Sequence, residues 1–491
     1  MITNHGYLDN PTFRGMRQSL MKTFDEIYIL DLHGNSLKRE TTPEGGKDEN
    51  VFDIRQGVAI ALFVRNKEQK DSKIYHADLY GLRQEKYDWL DKNEFLKDNY
   101  VQVKPQSPYY FFVKRNTETI KKYLDWKKIV EIFPLNGVGM TTARDNFVID
   151  FDKFTLENRI RLFKNSKFDD EELHSFFQIN KKKGWNIRKA WNMLQRFNDS
   201  ELKTFIYPVS YRPFDNRYIF WHDSVVWRTV KRVTKHMLEE NIGIVARRQQ
   251  LPDRPCNYFF ISENLISDGL IRSDNKGSES LFPLYLYPNK NKKDLFNQHQ
   301  TKKEPNIPQV QIEQLEATYG QKPTPEDILY YIYSVFYSNI YRETYAEFLK
   351  IDFPRIPFTS NYDLFIEMGK LGKELVALHL LKSSELDSPI AKYQGSGDND
   401  RIEKVTYKED EQRIYINREK YFEGVTPEVW NYHIGGYQVS HKYLKDRKGR
   451  MMEDAPCYCR IVTALYKTIV IQKQIDNIYP EIEKILLDFR I

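Results

Sequence analysis

Short, largely apolar runs near the N-terminus predict β-strands, at residues 27–32, 58–64 and 73–79. Before the first run, residues 12–24 place an apolar side chain at every third or fourth position, which is typical of an amphipathic helix. The second and third strands are joined by a charged turn at 65–72, and this pattern predicts a hairpin at the edge of a sheet. The N-terminal part of the chain is therefore expected to be α/β.

From about residue 116 the pattern becomes mixed, with short helical segments between turn-rich stretches. Helices are predicted at residues 156–163, 169–177, 185–197, 341–349 and 461–478, the last of them ended by Pro480. The clearest helix begins after Thr324, because threonine is a good N-cap and Pro325 suits the first helical position. A hairpin is predicted from 405–407 and 413–416, irregular structure at 208–221, and an exposed loop at 289–306.

Composition narrows the class of protein. Of the 491 residues, 14% are aromatic, which is too many for a disordered chain, and the net charge is only +6, so any nucleic-acid surface must be local. No apolar run approaches the ~18 residues of a membrane span, and the N-terminus lacks a signal-peptide pattern. Three cysteines are too few for a disulfide framework or a four-ligand zinc site, and we expect reduced thiols in a cytoplasmic protein: Cys256, Cys457 and Cys459.

Eight blocks of sequence occur in a specific order along the chain. They are ITNHGYLD at 2–9, FRGMR at 13–17, IYILDLHGN at 27–35, NVFDIRQGVAI at 50–60, GMTTARD at 139–145, YRPFDNR at 211–217, FPRIP at 353–357 and GGYQV at 435–439. In this order they resemble the later methyltransferase motifs and the target-recognition region of type ISP restriction-modification enzymes, which are related to type IIG adenine-specific DNA methyltransferases. The resemblance covers nearly the whole chain.

The resemblance implies a domain organisation. Residues 1–115 are expected to form the C-terminal half of an adenine DNA methyltransferase domain, that is, the second half of a Rossmann-like fold with its edge hairpin. A mixed α+β target-recognition region should follow, with its first part at 116–320 and a C-terminal helical part with a hairpin at 321–491. The implied function is sequence-specific recognition of double-stranded DNA within a site-specific, adenine-specific DNA methyltransferase.

Two motifs of the family are expected upstream of residue 1: the Gly-rich turn that binds S-adenosylmethionine and an Asn-Pro-Pro-Tyr-type motif. Only nine residues precede Asn10-Pro11-Thr12-Phe13, too few for the strands of a cofactor site, and Gly137-Val138-Gly139 is only a G-x-G. S-adenosylmethionine therefore belongs to the complete enzyme, and we expect this chain alone to bind none and to transfer no methyl group. The implied partner is a chain that carries the N-terminal methyltransferase half, with the nuclease and helicase regions.

Methylation of a base within a duplex requires its extrusion into a pocket that offers an aromatic face. By resemblance, Phe63 is the candidate for the base-flipping pocket; the alternative is a buried strand side chain in an apolar run. Asp31, at the end of its strand, either lies near that pocket or caps the strand.

Three basic segments are candidates for DNA binding. The first is expected to place its cations along one side of a helix, where they either contact DNA phosphates or only face solvent: Arg228, Lys231, Arg232 and Lys235. The second suits an exposed loop that reads bases in the major groove: Arg247, Arg248, Gln249 and Gln250. The third surrounds Gly449 as a phosphate-contacting turn: Lys442, Lys445, Arg447, Lys448 and Arg450.

Other motifs are assigned structural roles. Residues 211–217 are expected to contain an internal Arg–Asp pair that braces an irregular turn, and the tyrosine-rich stretch 330–345 to pack in the core. No metal site is predicted, because His433 and His441 have no further ligands nearby.

Alternative functions remain beside DNA recognition in a methyltransferase. The chain could be an inactive remnant of an interrupted restriction-modification gene, or a non-enzymatic DNA-binding specificity protein. A stand-alone enzyme with another active site is the third alternative, but the sequence offers no nucleophile–base pair, metal cluster or phosphate loop for it.

Overall fold

The computed structural model describes residues 1–36, 40–66, 71–95, 97–114, 117–251, 255–271, 279–288 and 303–489. The chain divides into two compact units, the first built on Met1–Asp125 and the second on Trp126–Gln250 and Pro255–Ile491. The predicted boundary at residue 115 lies ten residues before the observed one. The predicted division at residue 320 does not separate two units in the structure.

The first unit contains one sheet of five strands. The strands are β1 (Ile2–Asn4), β2 (Glu26–Asp31), β3 (Val58–Val64), β4 (Lys73–Asp78) and β5 (Val101–Val103), in the order β1-β3-β2-β4-β5. β3 is antiparallel to both β1 and β2, β4 is parallel to β2, and β5 is antiparallel to β4. Hence β1, β2 and β4 run in one direction, and their carboxyl ends lie at the same edge of the sheet.

The predicted hairpin between the second and third strands is wrong, because β2 lies between β3 and β4. Leu30 of β2 pairs with Ile60 on one side and with Ala77 on the other. β2 is buried from its second residue to its last, and strands on both sides of it satisfy its buried backbone hydrogen-bonding groups. The connection between β3 and β4 includes residues 67–70, which lie outside the described part of the chain.

The helices of the first unit are Arg14–Thr23, Arg83–Lys92 and Thr117–Asp125. Arg17, within the predicted helix, is fully buried. Its guanidinium donates to the carbonyl oxygens of Tyr7 at 2.7 Å, Asn10 at 2.8 Å and Tyr109 at 2.6 Å. Burial lowers the pKa of Arg17 to about 10. The FRGMR block is therefore a structural anchor that joins the helix to two loops.

Three four-stranded sheets occur in the described part of the second unit. The first contains Leu265–Ile266, Ile206–Arg212, Asp215–Phe220 and Ile149–Asp150. The second contains Phe259–Ser262, Gly243–Arg247, Glu279–Pro283 and Gly137–Val138, and the third Lys392–Gly395, Lys420–Glu423, Arg413–Tyr415 and Thr406–Lys408. Short strand pairs are Tyr285–Leu286 with Glu304–Pro305, Arg355–Ile356 with Lys127–Lys128, and His433–Ile434 with Tyr437–Gln438.

Helices cover much of the remaining second unit. Those of up to eight residues are Ile129–Ile132, Asp145–Val148, Asp170–Phe176, Ile187–Leu194, Asp199–Lys203, Lys231–Thr234, Asn339–Thr344, Ala346–Leu349, Pro427–Trp430 and Val439–Lys445. The longer ones are Lys153–Asn165, Gln309–Tyr319, Pro325–Tyr337, Tyr362–His379 and Ala455–Ile482. No helix in the described ranges combines the length and apolar character that crossing a membrane requires.

Several sequence predictions for this unit are confirmed and others need correction. The hairpin of Thr406–Lys408 with Arg413–Tyr415 and the helix capped by Thr324 are present. The stretch 208–221 is not irregular but a β-hairpin, in which Pro208 pairs opposite Tyr218. Pro480 does not end the last helix, which continues to Ile482, because a proline near the final turn removes only one backbone hydrogen bond. Of the predicted loop 289–306, residues 289–302 lie outside the described part of the chain.

The tyrosine-rich helix Pro325–Tyr337 lies in the core, as predicted. The hydroxyl of Tyr331 donates to the carbonyl of Pro357 at 2.5 Å, and that of Tyr337 to the carbonyl of Phe259 at 3.1 Å. Tyr333 lies 2.6 Å from Nδ1 of His379, whose pKa burial lowers to about 3, so a neutral imidazole accepts this hydrogen bond. Each ring thus adds apolar area to the core while its polar end finds a buried partner.

The helix Tyr362–His379 approaches the tyrosine-rich helix most closely at Gly372. A Cβ at this position would lie 1.9 Å from the carbonyl oxygen of Tyr330, whereas one at Gly369 would lie 3.9 Å from that of Asp327. Gly372→Ala should therefore destabilise the protein by about 1–3 kcal/mol through overpacking. Gly369→Ala, the matched control one turn away, should be neutral or stabilising by up to ~1 kcal/mol. Urea unfolding would measure both; equal midpoints for the two variants would contradict the close approach.

Candidate functional site

An open, polar pocket of about 460 Å³ lies in the second unit. Four stretches that are far apart in sequence line it, and three of them contain blocks that the sequence singled out. The lining residues are Met140, Thr141, Thr142, Ala143, Asp145, Tyr211, Arg212, Arg217, Ser267, Asp268, Gly269, Tyr437, Lys442 and Asp446. The blocks at 139–145, 211–217 and 435–439 therefore converge on one place.

The first wall is the GMTTARD block. The hydroxyl of Thr141 donates to Asp268 at 2.8 Å, and that of Thr142 donates to Asp145. Arg144 is buried, stacks 3.6 Å above the ring of Trp185 and donates to the carbonyl of Val225 at 2.9 Å. Burial lowers the pKa of Arg144 to about 10. Arg144 therefore supports the wall from behind, while the threonines and Asp145 face the pocket.

The second wall is the turn of the YRPFDNR hairpin. The hydroxyl of Tyr211 donates to Asp145 at 2.9 Å, and burial together with this carboxylate raises the pKa of Tyr211 to about 12. Arg212 donates to the carbonyl of Gly269 at 2.7 Å. Phe214 has a positive φ of 62°, which allows the chain to reverse between the two strands. The hairpin is thereby tied to both neighbouring walls.

A buried carboxylate behind the pocket joins two of its walls. Asp215 is fully buried, with Arg217 on one oxygen at 2.7 Å and Arg447 on the other at 2.7 Å. The predicted Arg–Asp pair within residues 211–217 is confirmed, and Arg447 is a second partner that the sequence did not indicate. Burial by itself would lower the pKa of Arg447, but Asp215, Tyr443 and Tyr437 together raise the pKa of that guanidinium above its ordinary value.

The third wall is the GGYQV block. Gly435 has a φ of 57°, and a Cβ there would lie 2.3 Å from a methyl carbon of Ile271, so only glycine fits. The amide of Gly436 donates to the carbonyl of Ile271 at 3.1 Å. This docking places Tyr437 at the pocket, where its hydroxyl donates to Asp446 at 3.2 Å.

The walls bring both signs of charge to the pocket. Arg212, Arg217 and Lys442 supply donors, and three carboxylates supply acceptors: Asp145, Asp268 and Asp446. A mixed lining of this kind suits a polar ligand edge that itself has donors and acceptors. The FPRIP block lies elsewhere: Arg355 donates to the carbonyl of Trp126 at 2.5 Å, and Arg355–Ile356 pairs with Lys127–Lys128.

The family profile of the Type ISP C-terminal specificity domain matches residues 131–458, which is more than half of the chain and begins near the start of the second unit. The chain belongs to this family.

Solved structures agree with this assignment at the level of the fold. The specificity-domain chain is similar to the ATP-dependent Type ISP restriction-modification enzyme LlaBIII bound to DNA (TM-score 0.64, 20% identity), with 97% of this chain and 32% of that chain covered. It is also similar to the DrdV–DNA complex (TM-score 0.61, 23% identity), with 98% of this chain and 50% of that chain covered. A third similar structure is a nuclease-deletion mutant of the Type ISP enzyme LlaGI with a DNA substrate mimic (TM-score 0.60, 20% identity), with 96% of this chain and 38% of that chain covered. The chain thus spans a third to a half of these enzymes. Comparison with curated protein sequences finds no match.

The predicted cationic helix stripe of the specificity domain needs correction. Val230 adopts a left-handed conformation with φ 50°, and the helix begins only at Lys231. Arg228 precedes it in extended structure, where its backbone pairs with Thr141 of the pocket wall. Arg228, Lys231 and Arg232 are exposed, Lys235 is half-buried, and Lys231 forms an ion pair with Asp223. The cations therefore form a cluster beside the pocket and not a stripe along one helix.

The prediction that residues 247–250 form an exposed loop is wrong for two of the four residues. Arg247 ends a buried strand with its guanidinium 5.4 Å from the ring centre of Tyr258, and Gln250 is 2% exposed and accepts a hydrogen bond from the Tyr258 amide at 3.0 Å. Arg248 and Gln249 are exposed. Arg248 pairs with Asp352 at 3.0 Å. Periodicity alone could not show that the strand extends to Arg247.

The third basic segment is partly at the surface. Gly449 has a φ of 84° within a turn, as predicted, and Lys445, Lys448 and Arg450 are exposed. Lys442 is half-buried and lines the pocket. Arg447 is engaged by Asp215 with only 14% of its side chain exposed, which favours a structural role for it.

One basic run of the specificity domain was missed by the sequence analysis. Lys181, Lys182 and Lys183 are consecutive and exposed, and Lys182 lies 4.7 Å from the ring centre of Trp227. The run therefore adjoins the cluster around Arg228. Three successive lysines followed by Gly184 were the available signal.

Phe63 lies in the first unit with a packing role. Its ring centre is 5.0 Å from that of Phe24, and it pairs in register with Ile27 near the amino end of β2. Ligands of open α/β sheets bind at the opposite edge, where the strands have their carboxyl ends. Phe63 is half-buried and packs against the core of the first unit, and its role in base flipping stays a prediction.

Gly137-Val138-Gly139 has no room for a cofactor. Gly137–Val138 is a strand, and a Cβ on Gly139 would lie 2.5 Å from the carbonyl oxygen of Ser267. This tripeptide is therefore not the open Gly-rich turn of a cofactor site.

The buried Asp215 should contribute strongly to stability. Asp215→Asn removes the charge that compensates Arg217 and Arg447, and leaving buried charges uncompensated typically costs about 3–5 kcal/mol. Asp223→Asn is the matched control, since Asp223 pairs with Lys231 at the surface and is 58% exposed; its cost should be about 1 kcal/mol or less. Chemical denaturation of both variants would test this, and similar losses in the two would refute the role of burial.

Proposed function

We propose that the chain is the sequence-recognition part of a Type ISP restriction-modification enzyme and binds a specific site in double-stranded DNA. The observation that carries the proposal is the specificity-domain match at 131–458, within which three sequence blocks build one polar pocket. Supporting it, the three structures with similar folds, two Type ISP enzymes and DrdV, contain DNA or a DNA substrate mimic.

The surface beside the pocket suits a phosphate backbone. Exposed cations occur at Lys181–Lys183 and at Arg228, Lys231 and Arg232 in one place, and at Lys445, Lys448 and Arg450 in another. Phosphate contacts of this kind fix the position of a protein on the duplex without reading its sequence. Base discrimination then requires directed donors and acceptors, which the pocket walls supply through Lys442, Asp268 and Asp446.

We further infer that the first unit is the late half of an adenine-specific DNA methyltransferase fold. Its strands β1 and β2 are parallel and connected through the helix Arg14–Thr23, and such helix-connected pairs build doubly wound sheets. S-adenosylmethionine would supply the methyl group in the complete enzyme. Because Gly137-Val138-Gly139 does not form a cofactor loop, we assign the methyl-transfer step to a partner chain or segment that carries the cofactor-binding half.

Selection from a randomised duplex library tests the proposed recognition directly. The wild-type chain should enrich one sequence. Lys442→Met, which removes a charge at the pocket, should lower affinity for that sequence by about 1–3 kcal/mol and leave random duplexes nearly unchanged. Lys445→Met, on the exposed side of the same short helix, should weaken both duplexes alike. Enrichment of no sequence, or identical behaviour of the two variants in fluorescence anisotropy, would contradict base recognition at the pocket.

The cluster beside the pocket should act through phosphates. The double variant Arg228→Ala, Arg232→Ala should reduce the slope of log affinity against log salt by about 2, since each lost phosphate contact lowers it by about 0.9. Specific and random duplexes should be affected equally. Arg161→Ala, Arg196→Ala removes two exposed arginines outside the basic segments and should leave the slope unchanged. Anisotropy titrations at several salt concentrations would decide, and an unchanged slope in the first double variant would exclude the phosphate role.

A further inference from the structure

A second cavity, of about 360 Å³, lies at the edge of the first unit's sheet where β1, β2 and β4 have their carboxyl ends. It is built only from residues of that unit: His5, Leu8, Asp9, Asp31, His33, Glu40, His76, Asp78, Tyr80, Val113 and Lys114. The lining contains four carboxylates and three imidazoles, against one lysine and no arginine. Such a surplus of negative charge in a partly buried cavity attracts a cation.

Two of these carboxylates are forced together by the strand register. Asp31 of β2 and Asp78 of β4 are register partners at the ends of neighbouring parallel strands. Asp31 is buried and accepts hydrogen bonds from Nδ1 of His5 at 2.9 Å and from the His33 amide at 3.0 Å. Asp78 lies 2.8 Å from Nε2 of His33, and 45% of its side chain is exposed at the mouth of the cavity. Like charges placed opposite one another on adjacent strands destabilise a sheet unless they are compensated.

His76 supplies an independent observation. It is 5% exposed, and its Nδ1 lies 3.7 Å from Asp78. Its Nε2 is buried and has no hydrogen-bond partner among the residues that the structure describes. The nitrogen that faces Asp78 is Nδ1, which makes no hydrogen bond within the described residues, so Nδ1 is the atom that a metal ion would occupy.

We propose that Asp31, His76 and Asp78 bind a divalent transition-metal ion of the Zn²⁺ type, which clamps β2 to β4 at their carboxyl ends. One ligand atom from each residue lies within 4.8 Å of the other two. Tetrahedral ligands with bonds of about 2.0–2.1 Å lie roughly 3.4 Å apart, so a small inward movement would bring the three side chains to bonding distance and leave the fourth position for water. Mixed imidazole and carboxylate ligands favour Zn²⁺ over Mg²⁺ or Ca²⁺, which prefer oxygen alone.

A neighbouring set, His5, His33 and Glu40, meets the same distance criterion but is less suitable. Both ring nitrogens of His5 are engaged, one with Asp31 and the other with Asn35 at 3.2 Å. Nε2 of His33 already faces Asp78. These residues are better placed to orient the carboxylates than to bind the ion first.

Metal titration of the chelator-treated full chain tests the site without DNA, so its outcome is independent of the proposed recognition. Calorimetry with Zn²⁺ should give one site per chain, and Co²⁺ should give visible absorption bands typical of nitrogen and oxygen ligands. Because the Asp78 side chain is half-exposed, the variant Asp78→Asn should fold normally. The variant His76→Gln tests whether the imidazole is a ligand of the ion. Each should weaken Zn²⁺ binding by at least about tenfold and remove the Co²⁺ bands.

The controls are Asp53→Asn, a carboxylate that is 93% exposed in the same unit, and His433→Ala, an exposed histidine of the second unit. Both should bind Zn²⁺ as the wild type does. The proposal is overturned if the wild type binds no Zn²⁺ at micromolar concentrations. It is equally overturned if both ligand variants retain full affinity, or if His433→Ala alone removes binding, which would indicate an adventitious surface site.

Discussion

The pocket of the second unit depends on one buried ionic contact, in which Asp215 holds Arg217 and Arg447 on its two oxygens. These residues belong to stretches of sequence more than 200 positions apart. A carboxylate taken out of water is stable only when it is charge-compensated and hydrogen-bonded, so the two arginines must stay in place. Arg217 thereby fixes the hairpin wall, and Arg447 fixes the turn that follows Lys442 and Asp446.

Around this contact, hydrogen bonds from buried polar groups fix the distances between neighbouring segments more tightly than apolar packing alone would. Arg144 links the GMTTARD wall to the carbonyl of Val225, and Arg212 links the hairpin to Gly269. The tyrosines of the core do the same on a larger scale, since Tyr331 and Tyr337 donate to carbonyls of other elements. Hydrogen bonds are directional, and an unmade one is expensive in the interior, so each restricts how the walls can move.

Sequence reasoning succeeded where the signal was local. The helix start at Thr324 could be predicted because the N-cap threonine, the proline and the acidic residues of the first turn lie within four positions. The hairpin at 406–415 could be predicted from two short apolar segments that flank acidic turn residues. It failed where the outcome depended on distant residues. The order β3-β2-β4 replaced the expected hairpin, and Val230 turned left-handed where a helix was expected. The burial of Arg247 and Gln250 could not be predicted, because both contact Tyr258, which lies beyond the following loop.

Arginine and lysine have different places in the second unit, which the net charge of the chain does not show. Arginine offers several donors in a planar fork, so Arg144, Arg217 and Arg447 can be largely buried against carbonyls, rings and Asp215. Lysine keeps a compact, strongly hydrated charge, and the run Lys181–Lys183 remains in water. Among the described residues, these three arginines contact only one carboxylate, that of Asp215, so part of the net charge of +6 lies inside the fold and not at the surface. On the proposed function, the exposed lysines supply affinity that any duplex shares. On the same proposal, the buried arginines hold the pocket walls in fixed positions, as the discrimination of base pairs requires.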